Sequence, residues 1–89
     1  MAKIILFNDQ NFGGGCKIIT DVTPHLGSFN DHTSSVIVID GTWQLFQDAD
    51  FSGTVWTVSS TGGPTNDGCY PSYTNWNGKD DSVSSLKPI

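Results

Sequence analysis

A chain of 89 residues makes one domain with a modest core, because a chain this short buries only about 60–65% of its unfolded surface. Five Phe, three Trp and two Tyr argue for a folded chain. Ten Gly among many Ser, Thr, Asn and Asp argue for short strands and turns, and two Ala with four Leu are thin for helices. A formal charge of −5 with four Lys and Arg in all excludes a phosphate-tracking surface, so nucleic acid and anionic membrane are poor partners. No stretch approaches the roughly 20 apolar residues of a membrane span. The opening Met1-Ala2-Lys3 with Ile4–Phe7 is too short for a signal-peptide core, which predicts a cytoplasmic protein or a module trimmed from a longer chain.

Residues 3–7, β-branched and aromatic, predict a first strand. A polar turn, Asn8 to Asn11, leads through Phe12-Gly13-Gly14-Gly15 into a returning strand over 16–20. Pro24 to Gly27 is a connector, and the acidic run Asn30-Asp31-His32-Thr33-Ser34-Ser35 follows it. A strand over 35–39 ends at the turn Asp40-Gly41. The order then restarts. Residues 42–46 predict a strand, Gln47 to Asp50 a polar turn, Phe51-Ser52-Gly53 a second glycine hairpin, and 55–58 its return. Residues 59–79 form a long polar connector with Tyr70, Tyr73 and Trp76. A second acidic run, Asp80-Asp81-Ser82-Val83-Ser84-Ser85, precedes the last strand.

This is an internal repeat. Phe7 to Phe46 and Phe12 to Phe51 are each 39 positions, whereas Asn30 to Asp80 is 50, so the second half carries 11 extra residues between Gly53 and Asp80. Short strands with one longer return connection are the parts of a Greek key. One such unit over 1–40 and another over 41–89 cannot each bury a face alone, and should pack as an all-β two-sheet sandwich.

Phe7-x-x-x-x-Phe12-x-Gly14 and Phe46-x-x-x-x-Phe51-x-Gly53 resemble the aromatic–aromatic–glycine hairpin of the βγ-crystallins. The two acidic runs resemble the paired calcium motif of that family's microbial members: Asn or Asp twice, two variable residues, Ser or Thr, then Ser. A single run of this kind is commonly a solvated turn. Here both signatures occur twice, in the family's order, across almost the whole chain. The glycine permits positive φ where the hairpin folds over, with Phe7 expected under Gly14 and Phe46 under Gly53.

The resemblance implies two Ca2+ ions per domain, held by the hard oxygen donors that calcium prefers. Each site would take a hairpin backbone carbonyl at Asn8 or Gln47 and oxygens from Asn30 and Asp31 or from Asp80 and Asp81. The fifth-position hydroxyl, Ser34 or Ser84, would cross to the opposite site, so that the ion clamps the halves together. Few formal charges imply dissociation constants on the order of 1–100 µM. Two carboxylates at Asp80-Asp81 against one at Asn30-Asp31 imply that the second turn's site is the tighter.

Cys16 and Cys69 allow one disulfide, worth roughly 4 kcal/mol for a loop of about 53 residues, or two free thiols. A zinc site would need both cysteines to converge with His25 and His32. The chain carries no nucleophile-elbow, zincin or phosphate-loop motif, so an enzyme is not expected. A monomer is expected. The rival reading is a secreted inhibitor, a toxin-like protein or a glycan- or protein-binding module acting through residues 59–79. There Tyr70, Tyr73 and Trp76 would either contact a partner or fold back to cap the sandwich.

Overall fold

The structure, a computed structural model, describes residues 2–27, 32–78 and 83–89. Seven strands form two antiparallel sheets: β1 (Lys3–Phe7), β2 (Cys16–Ile19), β3 (Ser35–Asp40), β4 (Thr42–Asp48), β5 (Ser52–Ser59), β6 (Cys69–Tyr70) and β7 (Ser85–Pro88). One sheet runs β2-β1-β3-β6 and the other β5-β4-β7. Short 3-10 turns at Gln10–Phe12 and Tyr73–Trp76 accompany them among the described residues.

Alternation along the strands decides which side chains meet. Ile4 and Leu6 of β1 pair with Val38 and Val36 of β3, and all four are buried. Trp43 and Leu45 of β4 do the same in the other sheet, and the two inner faces share one core with Val58, Leu86 and Val83. Outward-facing Phe7 pairs with Ser35, and Phe46 with Ser85.

Each half lends its third segment to the other half's sheet. β6 lies within the expected connector and pairs with β3 at Val36↔Tyr70 and Ile37↔Cys69. Its counterpart is a single bridge, Thr23↔Leu86, which adds the first half's connector to β7. Two further bonds repeat this exchange: Asp50 N donates to Pro24 O (3.0 Å) and Asn11 N to Pro71 O (2.7 Å). Neither half completes its sheet without the other, which is the two-Greek-key sandwich.

The hairpins reach their folded-over shape through left-handed backbone at residues that are not glycine: Asn11 and Phe12 (φ 56° and 62°), and Asp50 and Phe51 (φ 58° and 60°). The two aromatics of each hairpin meet edge to face, with centroids 5.5 Å apart for Phe7–Phe12 and 5.6 Å for Phe46–Phe51. Beside these aromatics, each motif glycine stands close to a carboxylate. A Cβ on Gly14 (φ +70°) would lie 2.7 Å from Asp9 Oδ2, and one on Gly53 (φ +79°) 2.6 Å from Asp48 Oδ2. The glycines therefore make room for a carboxylate, and each first aromatic packs on the second.

A serine from the last strand holds each hairpin in place. Ser35 Oγ donates to Asp9 O (2.6 Å) and accepts from Phe12 N (3.1 Å); Ser85 Oγ donates to Asp48 O (2.6 Å) and accepts from Phe51 N (3.1 Å). Both serines are fully buried. Replacing either by alanine strands a donor and an acceptor in a partly buried place. We expect Ser35→Ala and Ser85→Ala each to lower stability by about 2–3 kcal/mol, read as a fall in the urea midpoint at unchanged slope.

Cys16 and Cys69 are free thiols. They occupy opposite edge strands of one sheet, three strand spacings or about 14 Å apart, and a disulfide tolerates Cα atoms no more than about 7 Å apart. Burial, with Asp67 beside it, pushes the Cys69 thiol above its ordinary pKa, while Cys16 is exposed. Alkylation without reductant should therefore add two labels by mass, Cys16 first and Cys69 slowly. A chain that takes no label and is two mass units light would contradict this topology.

Candidate metal centre

Four of the eight residues expected to hold calcium are described: Asn8, Ser34, Gln47 and Ser84. Asn30, Asp31, Asp80 and Asp81 lie outside the described residues. Among the described residues no group of three or more His, Cys, Asp and Glu gathers as a metal site.

The described four occupy matching positions in the two halves. Asn8 follows β1 and opens the first hairpin, where its N–H donates to Gly15 O (2.9 Å). Gln47 lies near the end of β4, beside a break in register between Phe46 and Asp48. Ser34 is tied to the first hairpin by its own N–H, which donates to Phe7 O (2.9 Å), and Ser84 to the second by the same bond to Phe46 O (2.9 Å). Backbone hydrogen bonds thus bring each motif serine alongside the hairpin residue expected to offer a carbonyl. Ser34 is 4% exposed and Ser84 6%.

Consecutive serines fall on opposite faces. Ser35 faces outward with Phe7, and Ser34 shares the inner face of Val36 and Val38; Ser84 and Leu86 stand in the same relation to Ser85. The first serine of each pair is placed between the sheets, and the second clamps the hairpin. The motif reading gave a ligand role to Ser34 and Ser84 and none to Ser35 and Ser85; the clamping role of the second serine is visible only in the fold.

The donor set suits a hard cation. Asn8 Oδ1 is buried with no hydrogen-bond partner among the described residues, an oxygen acceptor left desolvated. Thr33 Oγ1 is also buried and unpartnered, but Thr33 occupies the position of Val83 in the second half, and both side chains are fully buried. Its hydroxyl stands where the repeat carries a methyl group. Asp9 and Asp48, exposed beside Gly14 and Gly53, add a carboxylate next to each hairpin residue and were not singled out by the motif. The motif's His32 is exposed.

The aromatics of residues 59–79 make no exposed platform. Tyr70 and Trp76 are each 5% exposed, with centroids 6.2 Å apart, and belong to the core; Tyr73 is half-buried against it. The Tyr70 hydroxyl is engaged by Ser59 N (3.1 Å). Ser72 and Asn75 close a capping box over the turn that carries Tyr73 and Trp76. Among the described residues no helix is long and apolar enough to cross a membrane.

The beta/gamma crystallin family model matches residues 3–89. A beta/gamma-crystallin of Ciona intestinalis is 42% identical over 89 residues, which is 98% of each chain. A solved structure of a beta gamma crystallin from Ciona intestinalis superposes with a TM-score of 0.87 at 39% identity, covering 98% of this chain and 99% of that one. A βγ-crystallin from an archaeon superposes with a TM-score of 0.86 at 30% identity, covering 99% and 98%. Mouse gamma-crystallin C is 30% identical over the whole of this chain, which spans 47% of that protein's length. With its exchanged third segments and doubled glycine hairpins, the chain belongs to the beta/gamma crystallin family.

Proposed function

We propose that this βγ-crystallin domain binds two calcium ions, each held by oxygens from both halves. One site would use a carbonyl at Asn8 and the other a carbonyl at Gln47, with Asn30 and Asp31 or Asp80 and Asp81 from the acidic runs. Ser34 and Ser84 would serve the site of the opposite half. The carrying observation is the doubled placement of Ser34 and Ser84. Each is fastened by its N–H to the residue before a hairpin ligand, and lies on the face turned to the other sheet. The unpartnered Asn8 Oδ1 supports the same reading, because a hard cation would satisfy it.

The ion supplies charge neutralisation and a link between segments distant in sequence. The chain supplies the rest. Ser35 and Ser85 fix the hairpins that present residues 8 and 47, and the exchanged segments keep the two halves in register. An ion that binds only the native chain stabilises it by about 2.7 kcal/mol per site at a hundredfold excess over the dissociation constant. That is a large share of the total for a domain this small.

Calorimetric titration of the chelator-treated chain should show two calcium ions with dissociation constants on the order of 1–100 µM, and a rise in Tm. Asp80→Asn with Asp81→Asn should weaken the tighter event. Ser34→Ala and Ser84→Ala should each weaken binding by severalfold to tenfold without unfolding the chain. Thr33→Val is the control. It should leave binding unchanged and alter stability by no more than about 1 kcal/mol, in the stabilising direction, since it replaces an unpartnered buried hydroxyl with the repeat's own methyl. A titration with no heat and no change in Tm would overturn the proposal.

A further inference from the structure

β5, eight residues long, is the longest strand among the described residues and lies at the edge of its sheet. Long, uncharged edge strands are pairing sites unless a charge, a proline or a covering segment protects them. β5 (Ser-Gly-Thr-Val-Trp-Thr-Val-Ser) carries neither charge nor proline, whereas the four-residue edge strand β2 carries Lys17.

The ladder fixes which groups β5 leaves open. Ser60 N donates to Gly41 O (3.0 Å) on the β4 side, while Ser59 N faces the other way and donates to the Tyr70 hydroxyl (3.1 Å). Alternation in an antiparallel pair then places the N–H and C=O of Thr57 and Val55 on that same open side. They border a groove of about 550 Å3 whose far wall includes Pro64, Asn75 and Asn77. Asn75, Asn77, Thr57 and Val55 are exposed. Asn75 Oδ1 accepts from Ser72 N (3.0 Å), which leaves its NH2 as a donor.

We propose that this groove binds an uncharged, extended peptide segment, which adds as a strand to β5. Paired backbone donors and acceptors two residues apart are what another polypeptide's backbone satisfies. Among the described residues no lining residue is charged, although the whole chain carries −5, so the described lining does not select an ionic segment. A wall stands opposite the edge, so one extended chain fits where the sheet of a second copy would meet that wall. A sugar is disfavoured because the aromatic residues of the lining, Trp56, Tyr70 and Trp76, are each at least nine-tenths buried and offer no open face for stacking. The proposal does not depend on calcium.

The test is a titration of the 15N-labelled full chain with the capped pentapeptide acetyl-Val-Thr-Val-Thr-Val-amide, followed by NMR. Shifts should concentrate at the Val55 and Thr57 amides and the Asn75 and Asn77 side-chain amides, with hydrogen exchange slowed at Val55 and Thr57. The same peptide N-methylated at alternate residues should bind about tenfold more weakly or worse, because its ladder donors are gone. No shifts, equal binding of the methylated peptide, the same shifts with maltotriose, or dimerisation of the chain through β5 would each overturn the proposal.

Discussion

The fold depends on a serine hydroxyl that reaches from the last strand of each half into the hairpin of the same half. Left-handed backbone costs an L-residue about 1–2 kcal/mol, and each hairpin contains two such residues in a row, one of them a phenylalanine. Two hydrogen bonds to the clamping serine, at about 1 kcal/mol each, and an edge-to-face aromatic pair at about 0.5–1.5 kcal/mol offset that strain. The clamp in the first half spans 23 and 26 positions of sequence, and in the second half 34 and 37. The folded-over hairpin is therefore not a local preference. It exists because a distant strand has docked, and strand and hairpin form together.

The exchange of third segments extends this cooperativity across the molecule. β6 completes the first half's sheet and Thr23 completes the second's, while Pro24 O and Pro71 O each accept from the opposite hairpin. In chain order each acidic run lies between an exchanged segment and a clamping serine. An ion held there, as proposed, would act on the join between halves, where its binding energy would oppose global unfolding and not only local opening. The 11 extra residues of the second half leave this scheme intact. They lengthen its exchanged segment from one bridging residue to a two-residue strand and add a capped turn that buries Trp76. Elsewhere the halves diverge only in detail, as where Lys87 lies over the rings of Phe46 and Phe51 (5.6 and 5.1 Å) at the position of Ile37.

Much of this was legible before any coordinates. Runs of β-branched and aromatic residues marked β1 and β3, the likeness of residues 42–46 to the first strand marked β4, and the 39-residue period tied Phe7 and Phe12 to Phe46 and Phe51. What stayed hidden carries no period. Thr23 is a single bridging residue and Cys69–Tyr70 a pair, too short for a hydrophobic pattern, so the exchange between halves could not be read from them. The sequence left two readings for Tyr70 and Trp76, since aromatic residues in a polar stretch look alike whether they face solvent or core, and their burial bears out the one in which they fold back on the sandwich. The glycine hairpins were visible, but the carboxylate beside each glycine was not, because only the folded backbone brings Asp9 to Gly14 and Asp48 to Gly53.

The paired serines show how register gives two like residues of one motif different surroundings. Ser34 and Ser35 are chemically identical neighbours, as are Ser84 and Ser85, and side-chain type alone assigns both to one task. Pairing of Phe7 with Ser35 and of Phe46 with Ser85 settles the matter, because alternation then gives each residue of a pair its own face. The outward serine meets a strained hairpin and must both donate and accept, which a hydroxyl does and a methyl or a carboxylate does not. The inward serine is left among buried neighbours and fastened by its backbone. A slip of one residue in either strand would exchange these faces, depriving the hairpin of its clamp and turning Val36 and Val38, or Leu86, out of the core. The same apolar pairing that builds the core therefore keeps the two hydroxyls apart.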